Sequence, residues 1–183
     1  MAKLIFAMNV SLDGYVNHDH PEMVPDTELF RHFIEMTQAG AGSLYGRKLY
    51  ELMQYWDGDI WDQDDPADTP ALREFAQAWR QQPKWVVSTT LGEVGPNATL
   101  IKGDVEGAIR RLKDEVQGNL DVGGTVLAQW LGEKGLLDEV HMYLHPVVMG
   151  QGRPMFVGPW PSLHLLGSER IGGDVIRLRY APA

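Results

Sequence analysis

Three segments place small, cationic or hydroxyl residues directly after an apolar run. In Asn119–Trp130 the apolar Leu120–Val122 runs into Gly123-Gly124, and a helix is predicted from Thr125 with Val126, Leu127, Trp130 and Leu131 on one face. Two glycines at a strand–helix junction let backbone approach a ligand with no Cβ in the way. The helix start adds unpaired N–H groups and the positive end of its dipole, a setting for an anion such as a phosphate. A tight strand–helix turn without a ligand reads the same way. Ser43-Leu44-Tyr45 is followed by Gly46-Arg47-Lys48-Leu49. Cations at a helix start oppose the dipole unless an anion lies between them; otherwise they are two solvated residues on a turn. Lys84–Ser88 ends in Ser88-Thr89-Thr90, hydroxyls that suit sugar or phosphate oxygens or ordinary turn chemistry.

Other candidates are isolated. Asp13, in Ser11-Leu12-Asp13-Gly14-Tyr15-Val16, is an acid beside a glycine free to take positive φ. It serves as a proton donor, as an organiser of its loop, or simply as a turn residue bonded to its own backbone. Arg153, in the glycine-rich Pro146–Phe156, is placed to hold a phosphate or carboxylate or to sit on the surface. Tyr15 and Trp56 are candidate walls of a substrate cleft, or core. His18-Asp19-His20 lacks helical spacing and a third ligand, so no metal site is expected. The aspartates between Asp57 and Asp68 read as a solvated acidic loop without a calcium-loop pattern. His141 and His145 share a strand face with Tyr143, which suits a dimer face or packed, hydrogen-bonded positions.

The elements that position these residues follow from periodicity. Lys3–Val10 reads as a strand covered on both faces. Asp26 caps a helix over 27–39 that Gly40 ends. Helices are also predicted over 70–80 and, capped by Asp104 and closed by Gly118, from there to about Gln117. Further strands fall at 99–101 and 139–145, and a hairpin of 163–171 and 175–180 turns at Gly172-Gly173. Strands alternating with helices and closed by an antiparallel pair make an α/β fold with a mostly parallel sheet. In such a sheet the C-terminal strand ends share one edge, where ligands bind. Three such ends with phosphate-compatible chemistry point to a nucleotide.

With 183 residues, 44% hydrophobic and 22% charged, the chain reads as one domain spanning 1–183. A net charge of −9 argues against nucleic acid or an anionic membrane as the main partner. The absence of cysteine excludes disulfides, thiolate metal sites and a cysteine nucleophile. The N-terminal apolar run is too short for a signal peptide and no stretch reaches spanning length, so a cytoplasmic protein is expected.

In chain order, S-L-D-G-Y-V (11–16), L-Y-G-R-K-L-Y-E (44–51), K-W-V-V-S-T-T (84–90), D-V-G-G-T-V-L (121–127) and H-P-V-V-M-G-Q-G-R-P-M-F (145–156) resemble the dihydrofolate reductase-like superfamily. The closest likeness is to the branch containing the C-terminal reductase domain of the bifunctional riboflavin-biosynthesis deaminase–reductase. The resemblance implies that fold, NADPH as cofactor with NADH as the variant, and a homodimer. It implies that Gly46, Arg47, Lys48 and Leu49 hold cofactor phosphates and that Ser88, Thr89 and Thr90 lie near the adenosine ribose and its 2′-phosphate. Gly123, Gly124, Thr125, Val126 and Leu127 would form the pyrophosphate turn, and Met8, Asn9 and Val10, with Asp13 and Gly14, would surround the nicotinamide. Leu49 departs from the threonine usual in the family, and no arginine follows Gly124. The helix carboxylate that holds a pterin in classical dihydrofolate reductases falls at Phe30, with Glu28 only an approximate substitute. The expected activity is hydride transfer to a small heterocyclic, carbonyl or imine substrate. The alternative is a sensor or sequestering protein that binds a nucleotide or small molecule without turnover.

Overall fold

The computed structural model describes residues 1–17, 20–58 and 69–183. The chain builds one eight-stranded sheet from β1 (Ala2–Ser11), β2 (Gly42–Gly46), β3 (Lys84–Val87), β4 (Ala98–Ile101), β5 (Gly118–Gly123), β6 (Glu139–His145), β7 (Leu163–Ile171) and β8 (Val175–Pro182). Their order is β4-β3-β2-β5-β1-β6-β8-β7. The first six in that order are mutually parallel, and β8 and β7 close the sheet as the antiparallel hairpin. This is the dihydrofolate reductase-like architecture.

The helices are α1 (Thr27–Ala39), α2 (Arg47–Met53), α3 (Pro70–Gln81), α4 (Val105–Glu115) and α5 (Thr125–Glu133). Asp26, Thr69 and Asp104 cap α1, α3 and α4 by accepting from backbone N–H groups three residues on. Gly118 does not close α4, as the sequence suggests. The helix ends at Glu115 with Val116 extended, and Gly118 opens β5 at φ +104°. The predicted loop at 54–70 begins with a 3-10 turn at Gln54–Asp57, and Asp59–Asp68 lie outside the described residues, as do His18 and Asp19.

The two faces of β1 meet different environments. Leu4, Phe6 and Val10 pack with Ile109 and Leu112 of α4 and Leu127, Ala128 and Leu131 of α5 in the main core. Ile5, Ala7 and Asn9 face the other way, beneath α1 and α3. There α1 touches the sheet through Leu29 and Phe33, which pack with Ala7, Tyr143 and Val175, and α3 through Trp79, whose indole N–H donates to the Tyr45 hydroxyl. Phe30 of α1 packs on Phe75 of α3 and Phe33 on Tyr143 of β6, leaving a cavity of about 580 Å³. The expectation that β1 is covered on both faces therefore holds in an unequal way: one cover is the main core and the other a smaller cluster beside a cavity.

Candidate active site

Strands β3, β2 and β5 are adjacent and parallel, so Ser88, Gly46 and Gly123-Gly124 stand at one edge of the sheet. Gly124 is the N-cap of α5, at φ +113°, and Gly46 is the N-cap of α2; neither helix start has a side-chain cap. A Cβ on Gly124 would lie 3.8 Å from the Gly46 nitrogen, and one on Gly46 would lie 3.6 Å from Leu127 Cβ. The two junctions thus form one backbone cradle that side chains would fill. Unpaired N–H groups at the start of α5 face an anion favourably. An uncapped helix start of this kind suits a phosphate group. Gly123 is required for a further reason: a Cβ there would come within 2.4 Å of Tyr45 Cδ1 and 2.7 Å of Leu49 Cδ2.

The remaining nominated residues fall into separate groups. Thr125 is buried and Val126 exposed on α5. The Arg47 guanidinium lies along its own helix on Glu51, at 3.0 Å, and Lys48 is exposed. Ser88 Oγ is occupied in its own turn, accepting from the N–H groups of Thr90 and Leu91, while Thr89 and Thr90 are exposed. Met8, Asn9, Leu49 and Trp56 line the cavity, whereas Val10 is buried in the main core. Asn9 Oδ1 is 2.9 Å from His145 Nε2, so His145 takes the packed, hydrogen-bonded role.

Asp13 is a loop organiser. Ser11 Oγ donates to its carboxylate at 2.6 Å, and the N–H groups of Met149 and Gly150 donate at 3.1 and 2.7 Å. The Ser11 hydrogen bond, helped by those backbone donors, holds the carboxyl below the ordinary aspartate range, a poor setting for a proton donor. Gly14, at φ +88°, allows the turn, and Tyr15 bridges to Pro154. Tyr15, Asp13 and Arg153 are not among the residues lining the cavity. Arg153 is exposed and contributes backbone bonds to Val16 and Asn17.

Sequence reasoning missed the polar wall of the cavity. Asp121 of β5, Glu139, His141 and Tyr143 of β6, and Arg177 and Arg179 of β8 all line it. Burial pushes the Asp121 carboxyl up to about 7. Burial also lowers His141, against the opposing pull of Glu139, whose Oε2 is 2.8 Å from Nε2. Tyr143 is pushed up to about 12 by burial, and its hydroxyl lies 2.9 Å from His32 Nε2. Glu28 is exposed and Phe30 lines the cavity, so its carboxylates come from the sheet and not from α1. One signal was available. In a central strand covered on both faces, Asp121 alternates with Leu120 and Val122, so its charge had to face something buried.

The family described as "RibD C-terminal domain" matches residues 2–177. With the fold and the glycine cradle in place, this chain belongs to that family, and is a homologue of a reductase domain. It is 29% identical over 185 residues to the uncharacterized protein YyaP of Bacillus subtilis (strain 168), covering 97% of this chain and 94% of that one. A putative riboflavin biosynthesis protein from Shewanella sp. PV-4 superposes with TM-score 0.75 at 22% identity, over 100% of this chain and 99% of that one. The diaminohydroxyphosphoribosylaminopyrimidine deaminase/5-amino-6-(5-phosphoribosylamino)uracil reductase of Thermotoga maritima gives TM-score 0.65 at 13% identity, over 100% of this chain but 57% of that one. None of the described helices is long and apolar enough to cross a membrane.

Proposed function

We propose that this protein is a nicotinamide-dependent reductase that passes hydride to a small heterocyclic, carbonyl or imine substrate. The observation that carries the reading is adjacency. The Gly46/Gly124 cradle stands at the C-terminal strand edge, and Leu49, three residues beyond Gly46, lines the cavity beneath α1. In the proposed complex the backbone at Gly123–Thr125 and Gly46 holds the pyrophosphate, and Thr89 and Thr90 with Arg47 face the adenosine end. Met8 and Asn9 border the nicotinamide. The bound nicotinamide supplies the hydride. The chain's own part is to orient two flat rings against each other and keep water out of the apolar space between Ile5, Ala7 and Phe33.

Arg47 must leave Glu51 to reach a phosphate, an exchange between exposed partners of small cost. Asp13 is held below the ordinary aspartate range outside the cavity, so it organises its loop and does not serve as the proton donor. A homodimer in the cytoplasm completes the proposal; edge strand β7 leaves Leu165 and Leu166 exposed.

The test is consumption of reduced nicotinamide against pterins, ribosylaminopyrimidines, quinones and aldehydes. Turnover above the uncatalysed rate that Gly124→Val abolishes supports the reductase. Cofactor binding with no turnover on any of these favours the sequestering protein.

A further inference from the structure

Among the described residues, four buried side-chain atoms lack a hydrogen-bond partner, and three of them belong to residues lining the cavity: Asp121 Oδ1, His141 Nδ1 and Arg179 Nε. The fourth, Trp160 Nε1, belongs to a side chain stacked on Phe6 in the main core. Buried polar groups are ordinarily paired, so three orphans in one cavity point to a ligand that pairs them.

Their placement describes that ligand. The strand register sets Ile5 beside Asp121, Ala7 beside His141, and His141 beside Arg179. Ile5 and Ala7 therefore form an apolar strip with Asp121 on one flank and the His141–Arg179 pair on the other. Asp121 and His141 stand on strands two steps apart and two residues out of register, a diagonal of roughly 12 Å between backbones, which leaves the width of a flat ring system between them. Glu139 accepts from His141 Nε2, so in the neutral imidazole Nδ1 is an acceptor. Arg179 Nε is a donor; Glu169 lies 4.0 Å from it, beyond hydrogen-bond reach. An acceptor next to a donor complements an N–H/C=O edge. Asp121 Oδ1, on the far flank, is left to accept from a second N–H.

We propose that Asp121, His141 and Arg179 are the specificity-determining residues of this cavity. They read both edges of a flat nitrogen heterocycle: a lactam edge at His141 and Arg179, and an N–H at Asp121. The proposal rests on the cavity being the substrate site and is separable from the cofactor assignment.

The experiment is equilibrium dialysis of the full chain with lumazine, a flat pyrimidinedione-fused ring carrying N–H and C=O groups, and with 1,3-dimethyllumazine, which keeps the carbonyls and loses the pyrimidine N–H donors. The wild-type protein is expected to bind lumazine at least tenfold more tightly. Asp121→Ala and Arg179→Met are each expected to weaken lumazine tenfold or more with NADPH affinity unchanged; the thermal midpoint is expected to hold in Arg179→Met and to stay at or above the wild-type value in Asp121→Ala, which loses a buried carboxyl. In Asp121→Ala, which opens space, dimethyllumazine is expected to bind as well as or better than in wild type. Equal binding of the two probes, no binding of lumazine, or undiminished lumazine binding by both variants overturns the proposal. Should a variant fail to fold, the probe comparison on the unaltered chain decides. Loss of NADPH binding with the probe discrimination intact would remove the cofactor reading and leave this one standing.

Discussion

Ser43 and Asp121 are register partners on neighbouring strands, yet Ser43 Oγ donates to Gln82 Oε1 at 2.8 Å and not to the aspartate. The one hydroxyl beside Asp121 in the register is thus committed to the α3–β3 junction. The carboxyl is left in a cavity between Ile5 and Ser43 with an oxygen unpaired. Its raised proton affinity follows from that placement.

This has a consequence for stability against pH. The folded-state value of about 7 lies above the ordinary 3.8, so the folded state holds a proton that the unfolded chain gives up. The penalty is absent below about pH 4, grows as pH rises, and is complete above about pH 7, at roughly 4 kcal/mol. Asp121→Leu removes it. Urea unfolding of both proteins from pH 4 to 8 should show the variant gaining on wild type as pH rises. A pH-independent difference would contradict the burial of this carboxyl.

Gly124→Ala tests the cradle. Its φ of +113° is strained for any L side chain, and the new methyl would meet the Gly46 backbone at 3.8 Å. A stability loss of about 1–2 kcal/mol is expected, with NADPH binding weakened at least tenfold, as read by denaturant unfolding and cofactor titration.

Gly123→Ala should cost stability more than cofactor contact. Its methyl would overlap the Tyr45 ring and the Leu49 side chain, at 2.4 and 2.7 Å. Tyr45 is itself fixed by the Trp79 indole N–H at 3.1 Å, so it cannot yield freely. Overpacking of this kind costs typically about 1–3 kcal/mol, measurable as a lower denaturation midpoint.

Asp13→Ala should loosen the loop around Met149 and Gly150, whose N–H groups its carboxylate receives. Amide exchange at those two residues is expected to accelerate, with exchange in β1 unchanged. Because the folded carboxyl is held low, the same loosening should appear in the wild type only when pH falls through that low value.

What was legible in the sequence was what local pattern determines. The caps at Asp26 and Asp104, the hairpin turn at Gly172-Gly173 and the three strand ends depend on residues a few positions apart. Their convergence on one edge needed only the parallel topology. Strand order was not legible, because it depends on which strands meet across the sheet: β5 between β2 and β1 is a tertiary fact. The polar wall of the cavity was hidden for the same reason. Asp121, His141 and Arg179 are far apart in the chain and become neighbours only through the register of β5, β1, β6 and β8. His141 reads as a dimer-face residue or a packed one, and it is packed in this chain; that its second nitrogen belongs to a cavity wall cannot be seen from its own strand.

The most direct test is titration of the purified protein with NADPH, and separately with NADH, following nicotinamide fluorescence. Saturable micromolar binding of reduced nicotinamide is expected, and Gly124→Val is expected to abolish it. Tighter NADPH than NADH would assign Arg47 and Thr89 to the 2′-phosphate, and equal affinities would remove that assignment alone. Binding of neither cofactor would contradict the nicotinamide-dependent reductase and leave a reductase fold put to another use.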